Sequence, residues 1–199
     1  MRFTQQLLPL LRSASPQISR VVSVLGPGGE SAALDFNNLD LRTNFSLSKA
    51  ASNAITMTDF AFEEMAKENP DISFIHSFPG GVKTGFGKEA GFVIKAALSL
   101  IMTLSSPLLV PIRESGERHL YGATSARYPA RSGLPTAVSI GSEGVMKGSA
   151  GEIGSGAYLI GSGNEFRANE KALSELRSKD AGPKILEHTL KTFKAVLGS

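Results

Sequence analysis

The chain of 199 residues contains no cysteine. Disulfide bonds, thiolate catalysis and cysteine-based metal sites are therefore excluded together. Histidine is also scarce, because His76, His119 and His188 are the only three and lie far apart in the sequence. No HExxH-type spacing would bring two of them onto one helix face, so we expect no metal site.

The chain also lacks a strong excess of either charge. Its formal net charge is only +3, and basic residues are interspersed with acidic ones. No run of like charges would form a stripe for nucleic acid, so DNA and RNA are not expected as partners. Apolar residues make up 41% of the chain and charged residues 20%, which is typical of a soluble globular protein. We therefore expect one domain over residues 1–199 that binds a small molecule.

No acidic residue precedes Glu30, whereas Arg2, Arg12 and Arg20 are spaced among Ser and Leu. This composition is that of an organellar transit peptide. The other interpretation is an amphipathic helix, because Phe3, Leu7, Leu10 and Leu11 recur at the spacing of one helical face. We favour the helix, since an apolar strand follows at once, and expect a cytoplasmic protein with an organellar one as the alternative.

The most apolar stretch, Gly91 to Ile112, is interrupted by Lys95, Pro107 and Pro111. A membrane-spanning helix needs about 20 continuous apolar residues, so we predict no transmembrane span. We expect residues 86–130 to form an apolar lid over a substrate. Shallow contact with a membrane surface is the alternative.

Helical and strand-like segments alternate along the chain. The patterns predict helices over residues 1–12, 46–68, 113–128, 167–179 and 183–197, and strands over residues 19–25, 72–78 and 157–160. In the long second helix, the predicted buried face consists of Ala50, Ala54, Met57, Ala61 and Met65. This alternation and the loop lengths predict an α/β fold with a parallel sheet and right-handed crossovers.

The first two predicted strands end in loops rich in glycine and proline, Gly26–Gly29 and Pro79–Thr84. In open parallel sheets, ligands bind beyond the carboxyl ends of the strands, and glycine lets a ligand approach the backbone. The simpler interpretation is that Gly and Pro only end the strands. His76 lies in the second strand among apolar neighbours, which is typical of a hydrogen-bonded core residue, with a catalytic base as the alternative.

The ordered segments SRVVSVLGPGG, a long helix and ISFIHSFPGGVKT resemble the later part of a fungal-type short-chain dehydrogenase/reductase. The resemblance covers residues 1 to 130. It implies a Rossmann-like parallel sheet flanked by helices, with the N-terminal strands of the domain missing. It also implies that Pro79, Gly80, Val82 and Thr84 lie against the nicotinamide half of NAD(P).

The family's catalytic residues match only in part. Its Tyr and Lys, four residues apart, correspond here to Phe45 and Lys49, and Phe45 has no hydroxyl for proton transfer. Lys49 would contact the cofactor ribose, with a solvated lysine at the helix start as the alternative. Ser23 is the candidate for the catalytic Ser, with a small residue of a buried strand as the alternative. The glycine-rich turn that holds the pyrophosphate has no equivalent.

The resemblance implies an NAD(P)(H)-dependent oxidoreductase acting on a small carbonyl or alcohol, with secondary metabolism as the expected setting. The alternative is a non-catalytic, truncated homologue that associates with a partner, such as a second copy, through an exposed sheet edge.

Overall fold

The computed structural model describes residues 1–14, 17–82, 109–133, 138 and 143–198. Within these ranges the helices are α1 (Arg2–Ser13), α2 (Leu47–Glu68), α3 (Ile112–Thr124), α4 (Glu170–Arg177) and α5 (Ala181–Leu197). The strands are β1 (Arg20–Val24), β2 (Ser73–Ser77) and β3 (Ala157–Ile160). The protein is therefore an α/β structure, as predicted from the sequence.

The three strands form one parallel sheet in the order β1-β2-β3. In its register, Ser23 lies opposite His76, and Ser77 lies opposite Ile160. Because all three strands run in the same direction, their carboxyl ends meet at one edge. The parallel sheet flanked by helices is consistent with part of a Rossmann-like fold, which confirms the predicted fold class.

Both faces of the sheet are covered, although unequally. Strands β2 and β3 are fully buried, whereas β1 is half-buried and its last residue, Val24, is exposed. Within the described residues, no strand pairs with the outer edge of β1. Among the described residues, the backbone groups at that edge therefore have no strand partner.

Alternate residues of β2 point to opposite faces of the sheet. Phe74 packs in a cluster with Phe62 and Met65 of α2, at a distance of 5.5 Å between the Phe62 and Phe74 rings. Ile75 packs on the other face against Tyr128 and Tyr158. A third cluster joins α2 to β3, α4 and α5 and consists of Phe60, Leu159, Leu173, Leu176, Ile185 and their neighbours.

The predicted first helix is confirmed, but only part of its predicted apolar face packs. Phe3, Leu7 and Leu10 are 81%, 47% and 66% exposed. Leu11, the fourth residue of that face, packs against the core together with Leu8 and Met1. The periodicity of the sequence shows that an amphipathic helix exists, but the neighbouring elements decide which stripe is buried.

The buried face of α2 is also displaced from the prediction. Ala61 and Met65 are buried as expected, whereas Ala54 is exposed. The buried residues of α2 also include four polar ones, namely Asn53, Thr56, Asp59 and Glu63. Apolar spacing alone missed these positions because polar residues can be buried when they find hydrogen-bond partners inside the protein.

The predicted helix over residues 113–128 ends four residues early, at Thr124. Arg20, the first residue of β1, is the physical reason. Its guanidinium donates hydrogen bonds to the carbonyl oxygens of Gly122 (2.8 Å), Ser125 (3.0 Å) and Tyr128 (2.6 Å). Ser125 then adopts an extended conformation, and Tyr128 enters the core.

Two other boundaries differ from the predicted ones. α4 begins at Glu170 rather than at residue 167, because Asn169 caps the helix by accepting a hydrogen bond from Ala172 N (3.2 Å). α5 begins at Ala181, so Pro183 lies in its first turn rather than at its start. Residue Arg167 consequently belongs to a loop.

Most of the predicted lid lies outside the described residues, which resume at Leu109 after Val82. The described part of that region consists mainly of α3. None of the helices in the described ranges is long and apolar enough to cross a membrane.

Candidate functional site

The carboxyl edge of the sheet brings three loops together. They are the loop after β1 (residues 25–29), the loop after β2 (residues 78–82) and the loop after β3 (residues 161–167). Strand pairing continues into them, because Leu25 N donates to Ser77 O (3.0 Å) and Phe78 N donates to Ile160 O (2.8 Å). The loops that follow neighbouring strands therefore begin side by side.

The Pro79-Gly80 turn packs closely against the loop after β3. Gly80 has a φ of 76°, and a Cβ added there would lie 2.8 Å from Ser162 Cβ. Glycine meets both demands, because it adopts positive φ readily and has no side chain. The turn then continues to Val82, which forms a parallel bridge with Val110.

A buried carboxylate holds the loop after β1. Glu30 is 4% exposed, and its Oε1 accepts a hydrogen bond of 2.7 Å from Gly28 N. Its Oε2 accepts one of 2.6 Å from the backbone N of Asn169, just before α4. Glu30 therefore ties the loop after β1 to the chain that follows β3.

His76, which is buried in β2, also holds the loop after β1. It is fully buried, and its Nε2 accepts a hydrogen bond from Gly26 N (3.2 Å). The proton must then lie on Nδ1, which donates to Asp59 Oδ1 at 2.5 Å. Burial lowers the pKa of His76 to about 4, so the ring is neutral near pH 7. With no exposed atom and both nitrogens bonded, His76 is a hydrogen-bonded core residue, as the sequence favoured.

Asp59 links His76 to Glu30. Burial raises the pKa of Asp59 well above its usual value, and the charge and hydrogen bond of Glu30 raise it further. Its second oxygen, Oδ2, is buried and accepts no hydrogen bond from the described residues. A proton on Asp59 explains both facts, because the neutral carboxyl can donate to the Glu30 carboxylate. Residues 26–30 thus rest on Glu30 and His76, with Asp59 hydrogen-bonded to His76 and its carboxyl group near that of Glu30; these three residues are here called the buried network.

Arg167, in the loop after β3, contacts the other two loops. Its Nε donates to Pro27 O (2.8 Å), and its guanidinium carbon lies 4.5 Å from the centre of the Phe78 ring. A Cβ added at Gly28, whose φ is 95°, would lie 2.8 Å from Arg167 Nε. The arginine therefore fits only because residue 28 is glycine.

Of the candidate catalytic residues from the sequence, Ser23 lies beside this network, opposite His76 in the strand pairing, whereas Phe45 and Lys49 lie apart from it. Ser23 is half-buried within β1, one residue before its end. Phe45 is 65% exposed just before α2, and Lys49 is exposed in the first turn, where its Nζ donates to Asn44 O (3.3 Å). Lys49 precedes Asp59 by ten helical residues, which is about 15 Å along the helix axis. Thr84 lies outside the described residues.

Three residues of the site were not anticipated from the sequence, namely Glu30, Asp59 and Arg167. A signal for Asp59 exists, because an acid in the segment DFAFEEM interrupts an apolar stretch of helix. Arg167 offered no local signal, since its pattern fits the helix in which it was predicted. Among the described residues, no group of His, Asp and Glu is arranged to hold a metal ion.

Comparison with known proteins gives relatives that are named as oxidoreductases. The chain is 40% identical to Oxidoreductase AN1596 of Emericella nidulans over 195 residues, which cover 95% of the chain and 57% of that protein. It is 38% identical to Oxidoreductase andH of Emericella variicolor, across all of the chain and 59% of that protein. The NmrA-like family domain-containing oxidoreductase notO of Aspergillus sp. is 35% identical, across 95% of the chain and 52% of its own length.

The relatives are fungal oxidoreductases. The chain is thus homologous to part of such proteins and spans little more than half of their length. No protein-family profile and no solved structure matches it. The names of these relatives support the expected similarity to oxidoreductases in general. The short-chain type is a narrower class than these names specify.

Proposed function

We propose that the chain functions as an oxidoreductase of the short-chain type, which uses NAD(P)(H) on a small carbonyl or alcohol substrate in fungal secondary metabolism. The observation that carries the proposal is the carboxyl edge of the parallel sheet, where two glycine-containing loops are held in place. Such edges are where open α/β sheets bind their ligands. The fungal relatives named as oxidoreductases support the same conclusion.

The loop after β2 is the proposed contact for the nicotinamide half of the cofactor. Gly80 is half-buried at a positive φ of 76°, and its turn is held against Ser162, so the backbone that would contact the ring has a fixed conformation. Pro79 fixes the entry to the turn, and Val82 is held by its bridge to Val110. Thr84 is proposed to belong to this contact, and Lys49 to the ribose.

The cofactor would supply hydride transfer, and the chain must then supply or relay a proton. Phe45 cannot do so, because a phenyl ring has no ionisable group. His76 cannot reach a substrate, since it is fully buried. Ser23, Lys49 or a bound water molecule is therefore the proposed proton donor.

A non-catalytic role is the second candidate. Phe45 in place of a tyrosine, together with the exposed position of Lys49, favours it. In this case the outer edge of β1, which carries no strand within the described ranges, would pair with a partner chain such as a second copy. This candidate predicts association in solution and no cofactor binding.

Calorimetric titration with NADPH and NADH tests the proposal. We expect saturable binding of at least one cofactor by the wild type and binding weakened about tenfold or more in Gly80→Ala, because the new Cβ would displace the loop near Ser162. Gly133→Ala is the matched control, since Gly133 also has a positive φ, of 72°, but its Cβ would meet nothing within 4 Å.

Cofactor affinity in Gly133→Ala should equal that of the wild type. Circular dichroism of both variants separates a local effect from unfolding. Absence of binding by the folded wild type at millimolar concentrations of both cofactors would overturn the proposal. Sedimentation of the same sample then tests the second candidate.

A further inference from the structure

Arg167 is contributed by the loop after β3, and its contacts reach the other two loops of the carboxyl edge. Its Nε donates a hydrogen bond to Pro27 O in the loop after β1. One face of its guanidinium lies against the ring of Phe78 in the loop after β2. The backbone at Arg167 is fixed as well, because its N donates to Leu159 O (3.0 Å). One exposed side chain thus bridges the ends of all three strands.

These contacts do not involve the outer end of the guanidinium, which carries Nη1 and Nη2. Within the described part of the chain, Arg167 forms no ion pair, and its two Nη groups donate no hydrogen bond. The neighbouring carboxylate, Glu30, is already bonded to the backbone of Gly28 and Asn169. Two parallel N–H donors at the end of a guanidinium match the two oxygens of a carboxylate or phosphate.

We propose that Arg167 is an oxyanion-binding residue of this site, which holds a carboxylate or phosphate of the bound ligand end-on through Nη1 and Nη2. The proposal rests on the proposed function for the ligand, because a substrate carboxylate and a cofactor diphosphate are the two sources of such a group. In both cases Arg167 would fix the orientation of the ligand over the loops after β1 and β2.

The immobilisation of Arg167 separates it from an ordinary surface arginine. A free arginine side chain loses rotamer freedom when it binds, which reduces the affinity that each contact yields. Here the hydrogen bond to Pro27 and the contact with Phe78 hold the guanidinium before any ligand arrives. The lack of a side chain at Gly28 makes room for this arrangement.

The direct test follows the arginine Nε–H signals of the ¹⁵N-labelled full chain by NMR, with the Arg167 signal identified by its loss in Arg167→Lys. Inorganic diphosphate and propionate are titrated separately at constant ionic strength. We expect the Arg167 signal to shift saturably, with a half-saturation concentration about tenfold or more below that of Arg42. Arg42 is an internal control, because its exposed side chain pairs with Asp40 in a loop.

The response to the two anions identifies the source. A saturable shift with diphosphate alone supports binding of the cofactor, a shift with propionate alone supports a substrate carboxylate, and a shift with both supports an oxyanion site for either. A shift no stronger than that of Arg42 with both anions overturns the proposal.

A cofactor titration of Arg167→Met, compared with the anion titration, tells a failure of the oxyanion site from a failure of the proposed function. Lys191→Met is its charge-matched control, since Lys191 pairs with Glu187 beside Glu64 and Glu68, at the end of α2 that leads into the amino ends of the strands. If the wild type binds no cofactor but Arg167 responds to anions, the proposed function fails and the oxyanion site stands. If cofactor binds and Arg167 does not respond, only the oxyanion site fails.

Discussion

The loop after β1 and the start of α2 both lie towards the carboxyl edge of the sheet, but they are supported very differently. Beneath residues 26–30, the buried network joins Glu30, Asp59 and His76, of which the last two are completely buried. Around residues 45–49, Phe45 and Lys49 are exposed, and the Lys49 side chain makes one long hydrogen bond to a nearby backbone oxygen.

The two regions correspond to two different requirements of a dehydrogenase site. A loop that holds a ligand needs a fixed backbone, and the buried network provides one. A proton donor needs an ionisable group that reaches the substrate, and the start of α2 provides no phenol. The structure therefore favours ligand binding at this edge more strongly than it favours catalysis.

Removal of the His76 ring should have the largest effect on stability. In His76→Ala, Gly26 N and Asp59 lose their partner and a cavity opens in the core. We expect the free energy of unfolding to fall by about 3 kcal/mol. Lys49→Ala at the start of α2 should change it by less than about 0.5 kcal/mol. Urea unfolding measures both, and similar losses would contradict the contrast between the two regions.

Asp59 gives the next largest effect and shows whether it carries a proton. Asp59→Ala should cost about 2 kcal/mol, because it leaves His76 Nδ1–H without an acceptor. Asp59→Asn should be tolerated, since its amide can accept from His76 and donate to Glu30 as the protonated acid does. Equal destabilisation by the two substitutions would mean that Asp59 is ionised.

The pH dependence supplies an independent check. Because the folded-state pKa of Asp59 is raised, the folded protein binds a proton that the unfolded chain has released, so this contribution to stability falls as pH rises above about 4. The stability of Asp59→Asn relative to wild type should therefore increase with pH, by up to about 1.4 kcal/mol per pH unit, until the folded pKa is passed. A difference that is independent of pH would contradict this assignment.

His76 acts in the opposite direction. Its folded-state pKa, lowered to about 4, means that stability is lost as pH falls from about 6.5 towards 4, where only the unfolded chain gains a proton. Asp59→Asn retains this behaviour, because it keeps the histidine buried. Urea midpoints of that variant at a series of pH values measure the histidine contribution without that of Asp59.

Gly28→Ala tests the packing of Arg167 against the loop after β1. The substitution strains a residue whose φ is 95° and places a Cβ against Arg167, so we expect a loss of about 1–2 kcal/mol. Gly133→Ala carries a similar backbone strain without a neighbour and should cost about 1 kcal/mol. In Gly28→Ala combined with Arg167→Ala, the excess over Gly133→Ala should disappear. An excess that persists would show that Arg167 does not lie against residue 28.

The sequence predicted the elements of this fold because the signals are local. The run of β-branched residues before Gly26 gives β1, and a short segment rich in Ile and Phe before Pro79 gives β2. Ser46 caps α2 by accepting a hydrogen bond from Lys49 N (3.2 Å), which is a local interaction as well. Each of these elements was found within one or two residues of its observed bounds.

The supports of the candidate site depend on contacts that no local pattern contains. Arg167 and Pro27 are 140 residues apart in the sequence, and Asp59 and His76 lie on different elements. A carboxylate in a helix is usually solvated, so the burial of Asp59 becomes visible only when His76 and Glu30 surround it. The same reason explains why α3 ends early, since Arg20 reaches its last carbonyl groups from β1.

Phe45→Tyr should have the smallest effect on stability and tests the weaker region directly. Phe45 is 65% exposed, so a hydroxyl added to its ring meets solvent, and we expect a change below about 0.5 kcal/mol. If residue 45 occupies the position of the proton donor, the variant should raise the rate of NADPH oxidation with small aldehydes or ketones, with little change in cofactor affinity. Phe3→Tyr on α1 is the matched control, because Phe3 is also exposed but lies on another helix. Cofactor binding with equal turnover in the wild type and both variants would show that residue 45 is not the position of the proton donor, and would leave Ser23 and Lys49 as the candidates in the chain itself.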